Sequence, residues 1–158
     1  MGNTDRELAC DQNWDPKLIQ RWGIVEIRIY DINFKNVSHN KPVTLLKGTS
    51  VGHAGTVPQN IVNGKIFNTD NAGNNVLADN GLNGYSVDKA GIKELSLLEI
   101  DLGLEYNIHH IVIFNRFHGA KEEGMNGTTI KLIGQGKDLR NVIHTGMWYQ
   151  TYSKEYIL

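Results

Sequence analysis

The chain has a single cysteine, three prolines and no surplus of either charge. Cys10 finds no partner for an internal disulfide, a CxxC redox pair or a cysteine zinc cage, so stability must come from a packed core. At 158 residues one domain can bury about two-thirds of the surface its unfolded chain exposes, which is enough without cross-links. Sixteen Lys and Arg stand against seventeen Asp and Glu, a formal charge of -1. No block of one sign offers a nucleic-acid track or a polybasic membrane tether. No apolar run approaches the length of a transmembrane helix. The opening segment carries Asp5, Glu7, Asp11 and Asp15 where a secretory signal would have a basic patch and an apolar run. Met1-Gly2 begins like a myristoylation motif, but Arg6 stands where that motif wants Ser or Thr.

Alanine is also scarce, whereas 17 Asn and 17 Gly make up about a fifth of the chain, a composition that favours turns over helices. Apolar residues come in short period-two clusters. Ile27 and Ile29 alternate with Glu26, Arg28 and Tyr30, and Ile130 and Leu132 alternate with Thr129 and Lys131, as in half-buried strands. Asn63-Gly64, Gly73-Asn74, Asn83-Gly84 and Asn126-Gly127 are turn steps that tolerate positive φ. The pattern predicts strands over 23-30, 42-47, 60-62, 96-102, 108-115, 128-133, 140-144 and 154-158. The segment 108-115 is apolar on both faces and belongs in the middle of the fold. Asp15-Pro16 caps a short helix over 17-21. Residues 1-22 otherwise read as an arm, 23-158 as an all-β sandwich, and 68-95 as a long polar connection.

The run Leu98-Glu99-Ile100-Asp101-Leu102-Gly103, then Ile108, Ile111-Val112-Ile113 and Asn115-Arg116, with Asn126-Gly127 before the next strand, resembles discoidin or coagulation factor V/VIII C-type domains. The nearest likeness is to the fucolectin (F-type lectin) branch. Upstream, Val25 to Tyr30, Asn40 to Thr44 and Pro58 to Gly64 are similar to that family's opening strands and turn, so the likeness spans about residues 23 to 145. It implies a galactose-binding-domain-like jelly-roll β-sandwich of about eight strands, with non-catalytic recognition of glycans, lipid head groups or protein surfaces by loops at one end. In fucolectins the arginine matching Arg116 touches the sugar. An internal ion pair anchoring 116-127 is the other reading of that residue. The rest of the fucose motif departs from the family: His118 replaces its Asp, Glu123 or Gly124 occupies its second basic position, and Gly91 lies near its expected His. Fucose specificity is therefore not inherited. The family's ion loop resembles Asn60 to Gly64, so calcium is the one cofactor to consider, with Asn60 and Asn63 as its ligands. Asn63 replaces the usual Asp, and Lys65 works against a hard cation.

Enzyme chemistry finds little support. There is no GxSxG elbow, Cys10 has no basic neighbour, and Gly134-Gln135-Gly136-Lys137 is a hairpin turn that does not complete a P-loop. His109 and His110, as strand neighbours, should point to opposite faces and be unable to chelate one metal. The expected protein is a non-enzymatic, lectin-like binding module for a glycan or another cell-surface ligand, as in cell adhesion. Arg116, His118, Lys121 and His53 would be its polar contacts, and Phe117 and Tyr85 its aromatic platforms. Avidity would require a homo-oligomer. The competing expectation is a structural or assembly protein, for example a virion-surface component, built on the same sandwich with the 1-22 arm. The extracellular surface or a virion is the place either reading implies.

Overall fold

The computed structural model describes residues 21–51, 57–69, 75–77, 85–88, 96–115, 128–134, 137–144, 146 and 153–158. The fold is all-β. Its strands are β1 (Arg21–Asp31), β2 (Val43–Lys47), β3 (Thr49–Val51), β4 (Phe67–Thr69), β5 (Asn75–Leu77) and β6 (Tyr85–Asp88). They continue with β7 (Leu97–Ile100), β8 (Ile108–Asn115), β9 (Thr129–Gly134), β10 (Lys137–His144) and β11 (Ser153–Ile157). A five-stranded antiparallel sheet has the order β11-β8-β1-β6-β3, and three two-stranded ladders, β2-β7, β9-β10 and β4-β5, accompany it.

The period-two pattern explains which face is buried. Ile27 pairs with Ile113 and Ile29 with Ile111, placing four β-branched side chains on one face. They join Ile24, Tyr85, Val37, Val43, Ile61 and Val62 in the core. Leu45 of β2, Leu98 and Ile100 of β7, Ile130 and Leu132 of β9, and Ile143 of β10 pack against this cluster, which gives the arrangement a sandwich-like character. Tyr156 of β11 also leans onto the core, while β11 is an edge strand of the sheet and its Ile157 is 72% exposed.

Several elements differ from the sequence reading. Residues 60-62 belong to a 3-10 helix, Pro58–Val62, instead of a strand. Proline at its first turn fixes φ where no amide donor is needed, and the Asn60 amide donates to the Val57 carbonyl at 3.0 Å. Ile61 and Val62 are buried from this helix, so their β-branched run reports the core and not a strand. The stretch 68-95 contains β5 and β6 and the end of β4. The arm boundary also moves, because β1 begins at Arg21. Residues 1–20, with Cys10 and the helix expected after Asp15-Pro16, lie outside the described residues.

Two bulges shape β1 and β8. Ile24 opposes Asn115 while Glu26 opposes Phe114, leaving Val25 as the extra residue, and Ile24, Val25 and Glu26 are all fully buried. Tyr30 opposes His110 while Asp31 opposes Ile108, so His109 is the extra residue on β8. After Asp31 the chain reverses through a tight turn. The Asp31 carboxylate accepts from the Asn33 and Lys35 amides at 2.9 and 3.0 Å, and Phe34 adopts φ 59°. Ser38 then returns beside β1, its hydroxyl accepting from the Ile29 amide at 3.1 Å and lying 3.1 Å from the Ile27 carbonyl and 2.8 Å from Asn36 Oδ1.

Candidate functional site

Several chemistry-bearing side chains of the described residues gather on the face of β1 and β8 opposite the isoleucines. Glu26, Arg28 and Tyr30 alternate with Ile27 and Ile29, and the matching β8 residues are Phe114, Val112 and His110. Two clusters form along this row.

At one end Glu26 is fully buried. Its Oε1 accepts from the Gly64 amide at 3.0 Å and lies 3.7 Å from Arg28 Nε. Its Oε2 has no hydrogen-bond partner among the described residues. Burial pushes this carboxyl up to about 7, against the opposing pull of the Arg28 charge and the Gly64 amide. Arg28 Nη2 donates to the Gly64 carbonyl at 3.4 Å, and the guanidinium lies 5.1 Å from the Phe114 ring centre. The sharp Asn63-Gly64 turn makes this possible: Gly64 has φ +83°, and Asn63 Oδ1 accepts from the Lys65 amide at 2.8 Å.

At the other end lie Tyr30, Phe34, His109, His110 and Glu155. Tyr30 stacks on His110 with ring centres 4.4 Å apart, and the exposed Phe34 packs on His109 at 4.8 Å. The two imidazoles stand edge-to-face, with their Nδ1 atoms 2.9 Å apart. His110 Nε2 faces the Glu155 carboxylate at 3.5 Å. This overturns the expectation that the two histidines point apart. The β8 bulge sets two residues against one on β1 and so re-aims the extra side chain.

The expected ligand residues fare unevenly. Tyr85 is not on a loop: it starts β6, opposes Ile24 and is 1% exposed in the core, which leaves its ring unavailable as a stacking platform. Asn63 is the C-cap of the 3-10 helix with its side-chain oxygen already engaged by Lys65, and Asn60 lies within that helix. Arg116, Phe117, His118, Lys121 and His53 lie outside the described residues. The strands that precede Arg116 and His53, β8 and β3, are defined, and β6 relates their directions. β6 and β8 are both antiparallel to β1 and hence parallel to each other, so Asp88 and Asn115 point to the same end of the sheet. β3 is antiparallel to β6, so its final residue Val51 points the opposite way.

In the sequence Glu26, Arg28 and Tyr30 have the look of the polar side of a strand and not of a site. The one available signal was an acid, a base and an aromatic at consecutive i, i+2 positions. Nothing in the sequence marks the bulge that joins the histidines. Among the described residues no three His, Cys, Asp or Glu side chains converge in a metal-binding group, and no helix is long and apolar enough to cross a membrane. Compared with known proteins, the chain matches no family model, no curated protein and no solved structure.

Proposed function

We propose that the chain is a non-catalytic binding module of galactose-binding-domain-like, discoidin-type jelly-roll build, which recognises a glycan or another cell-surface ligand at one end of its main sheet. The observation that supports this reading is the shared polarity of β6 and β8. Both strands finish at the same end, and Arg116, Phe117, His118 and Lys121 follow Asn115, a fully buried residue paired to Ile24 in the sheet. A segment that springs from a rigid strand is the usual platform for recognition. The guanidinium offers a planar fork for hydroxyls or carboxylates, and Phe117 a ring for sugar C–H faces. Tyr85 is in the core, so it does not belong to the proposed site. A glycan array probed with the chain displayed on beads, so that avidity compensates for weak single contacts, tests the reading. Binding lost in Arg116→Ala supports it; binding to nothing, or binding indifferent to the substitution, overturns it.

A structural or assembly role is favoured by a different observation. β11 forms one edge of the main sheet, and Ile157 and Leu158 beside that edge are exposed. An open edge with apolar side chains can pair with a second copy of the chain. Sedimentation velocity measures this directly: concentration-dependent association that Ile157→Lys abolishes supports assembly, and a lone monomer at high concentration removes it.

A further inference from the structure

His109 and His110 are adjacent in sequence, and in a regular strand adjacent side chains leave by opposite faces. The bulge that sets Ile108 to His110 against Tyr30 and Asp31 instead brings their Nδ1 atoms to 2.9 Å. We propose that the pair is a two-histidine chelate for a divalent transition metal that takes ligands at right angles, Cu(II) or Ni(II), in preference to tetrahedral Zn(II). Nitrogens 2.9 Å apart, each about 2.05 Å from a metal, subtend roughly 90° at it, whereas tetrahedral ligands of that length stand roughly 3.3 Å apart.

Three further contacts suit the pair to this role. The Glu155 carboxylate lies 3.5 Å from His110 Nε2, a placement that favours the ring proton on that nitrogen and so the Nδ1 lone pair for the metal. A carboxylate behind a ligating imidazole is the customary outer support of a metal site. Tyr30 stacks on His110 at an interplanar angle of 11°, and Phe34 packs on His109, so both rings are held before any metal arrives. The hydrogen between the two Nδ1 atoms then belongs to His109; when the metal takes its place, His109 changes tautomer, losing the proton from Nδ1 and taking one up on Nε2, so the ring stays neutral and no net proton is released. Among the described residues no third His, Cys, Asp or Glu completes a metal-binding group, and water can fill the open positions.

The test titrates Cu²⁺ into the full chain in a non-coordinating buffer, followed by calorimetry and by electron paramagnetic resonance. One equivalent should bind with hyperfine structure from two equatorial imidazole nitrogens, and Ni²⁺ should bind more tightly than Zn²⁺. His109→Gln should weaken Cu²⁺ binding at least tenfold and Glu155→Gln about tenfold, while His144→Gln, at an exposed position on β10, leaves it unchanged. His110 is buried, so His110→Gln is checked for folding by circular dichroism; should it unfold, His109→Gln and the resonance spectrum decide. A wild-type isotherm in His109→Gln, a spectrum with fewer than two imidazole nitrogens, or a preference for Zn²⁺ over Ni²⁺ overturns the proposal.

Discussion

Glu26 and Gly64 lie 38 positions apart in the chain, yet the Gly64 amide donates to the Glu26 carboxylate at 3.0 Å and fastens the turn after the 3-10 helix to the bulged strand β1. The contact places an ionisable group in a fully buried position. Its consequences can be measured.

The folded-state carboxyl of Glu26 is raised from 4.5 to about 7, so between those values the native protein holds a proton that the unfolded chain has released. The associated stability is fully present below pH 4.5 and is lost as pH rises through about 7. It is on the order of 3 kcal/mol at 1.36 kcal/mol per pH unit. Glu26→Gln keeps an oxygen for the Gly64 amide and removes the titration. Urea unfolding at pH 5.5 and pH 8 should therefore find the variant gaining on the wild type as pH rises; a constant difference between the two would contradict the buried charge.

Gly64 and Gly103 both have left-handed φ values, +83° and +78°, but their surroundings differ. A Cβ on Gly64 would lie 3.1 Å from the His39 ring, whereas on Gly103 its nearest neighbour is the flexible Lys41 ammonium at 3.8 Å. Gly103→Ala should cost about 1–2 kcal/mol from backbone strain alone, and Gly64→Ala should cost more because the ring must also yield. Thermal melts of the two variants give the ranking.

Ser38 is fully buried, and its hydroxyl accepts the Ile29 amide. Ser38→Ala leaves that amide without its partner, for an expected loss of about 1–3 kcal/mol. Hydrogen exchange of the Ile29 amide, followed by NMR, should accelerate in the variant. Unchanged exchange would show that the hydroxyl does not protect it.

Ile111 and Ile157 contrast the two sides of the sheet. Ile111→Ala opens a cavity in the core and should cost about 2–5 kcal/mol. Ile157→Ala, at an exposed edge position, should stay within about 0.5 kcal/mol of the wild type. Equal losses at both positions would contradict the assigned faces.

The long strands were legible because burial and period agree in them: 108-115 matches β8 residue for residue, and Val25 to Tyr30 lies within β1. β7 stops at Ile100, two residues short of the expected strand 96-102, and Gly103 just beyond it has positive φ. The Gly134-Gln135-Gly136-Lys137 hairpin is borne out by the pairing of Lys137 with Gly134. The short strands β3 to β6 were missed because three or four residues carry too little periodicity to stand out among Asn and Gly. Ile61 and Val62 misled because apolar β-branched residues mark burial in a tight helix as well as in a strand. The candidate site was harder still. Period-two reasoning assumes an unbroken ladder, and the bulge at His109 breaks that assumption where two imidazoles meet.

The main sheet joins β1 near the start of the chain to β8 and then to β11 close to its end. Neither neighbour of β8 is local, and β6, the other partner of β1, also lies far along the sequence. Loop closure must therefore precede most of the reward from pairing, which slows folding. On the ribosome the isoleucine face of β1 must wait for β8 to emerge, and until then an apolar strand is exposed to capture by a chaperone or by another nascent chain.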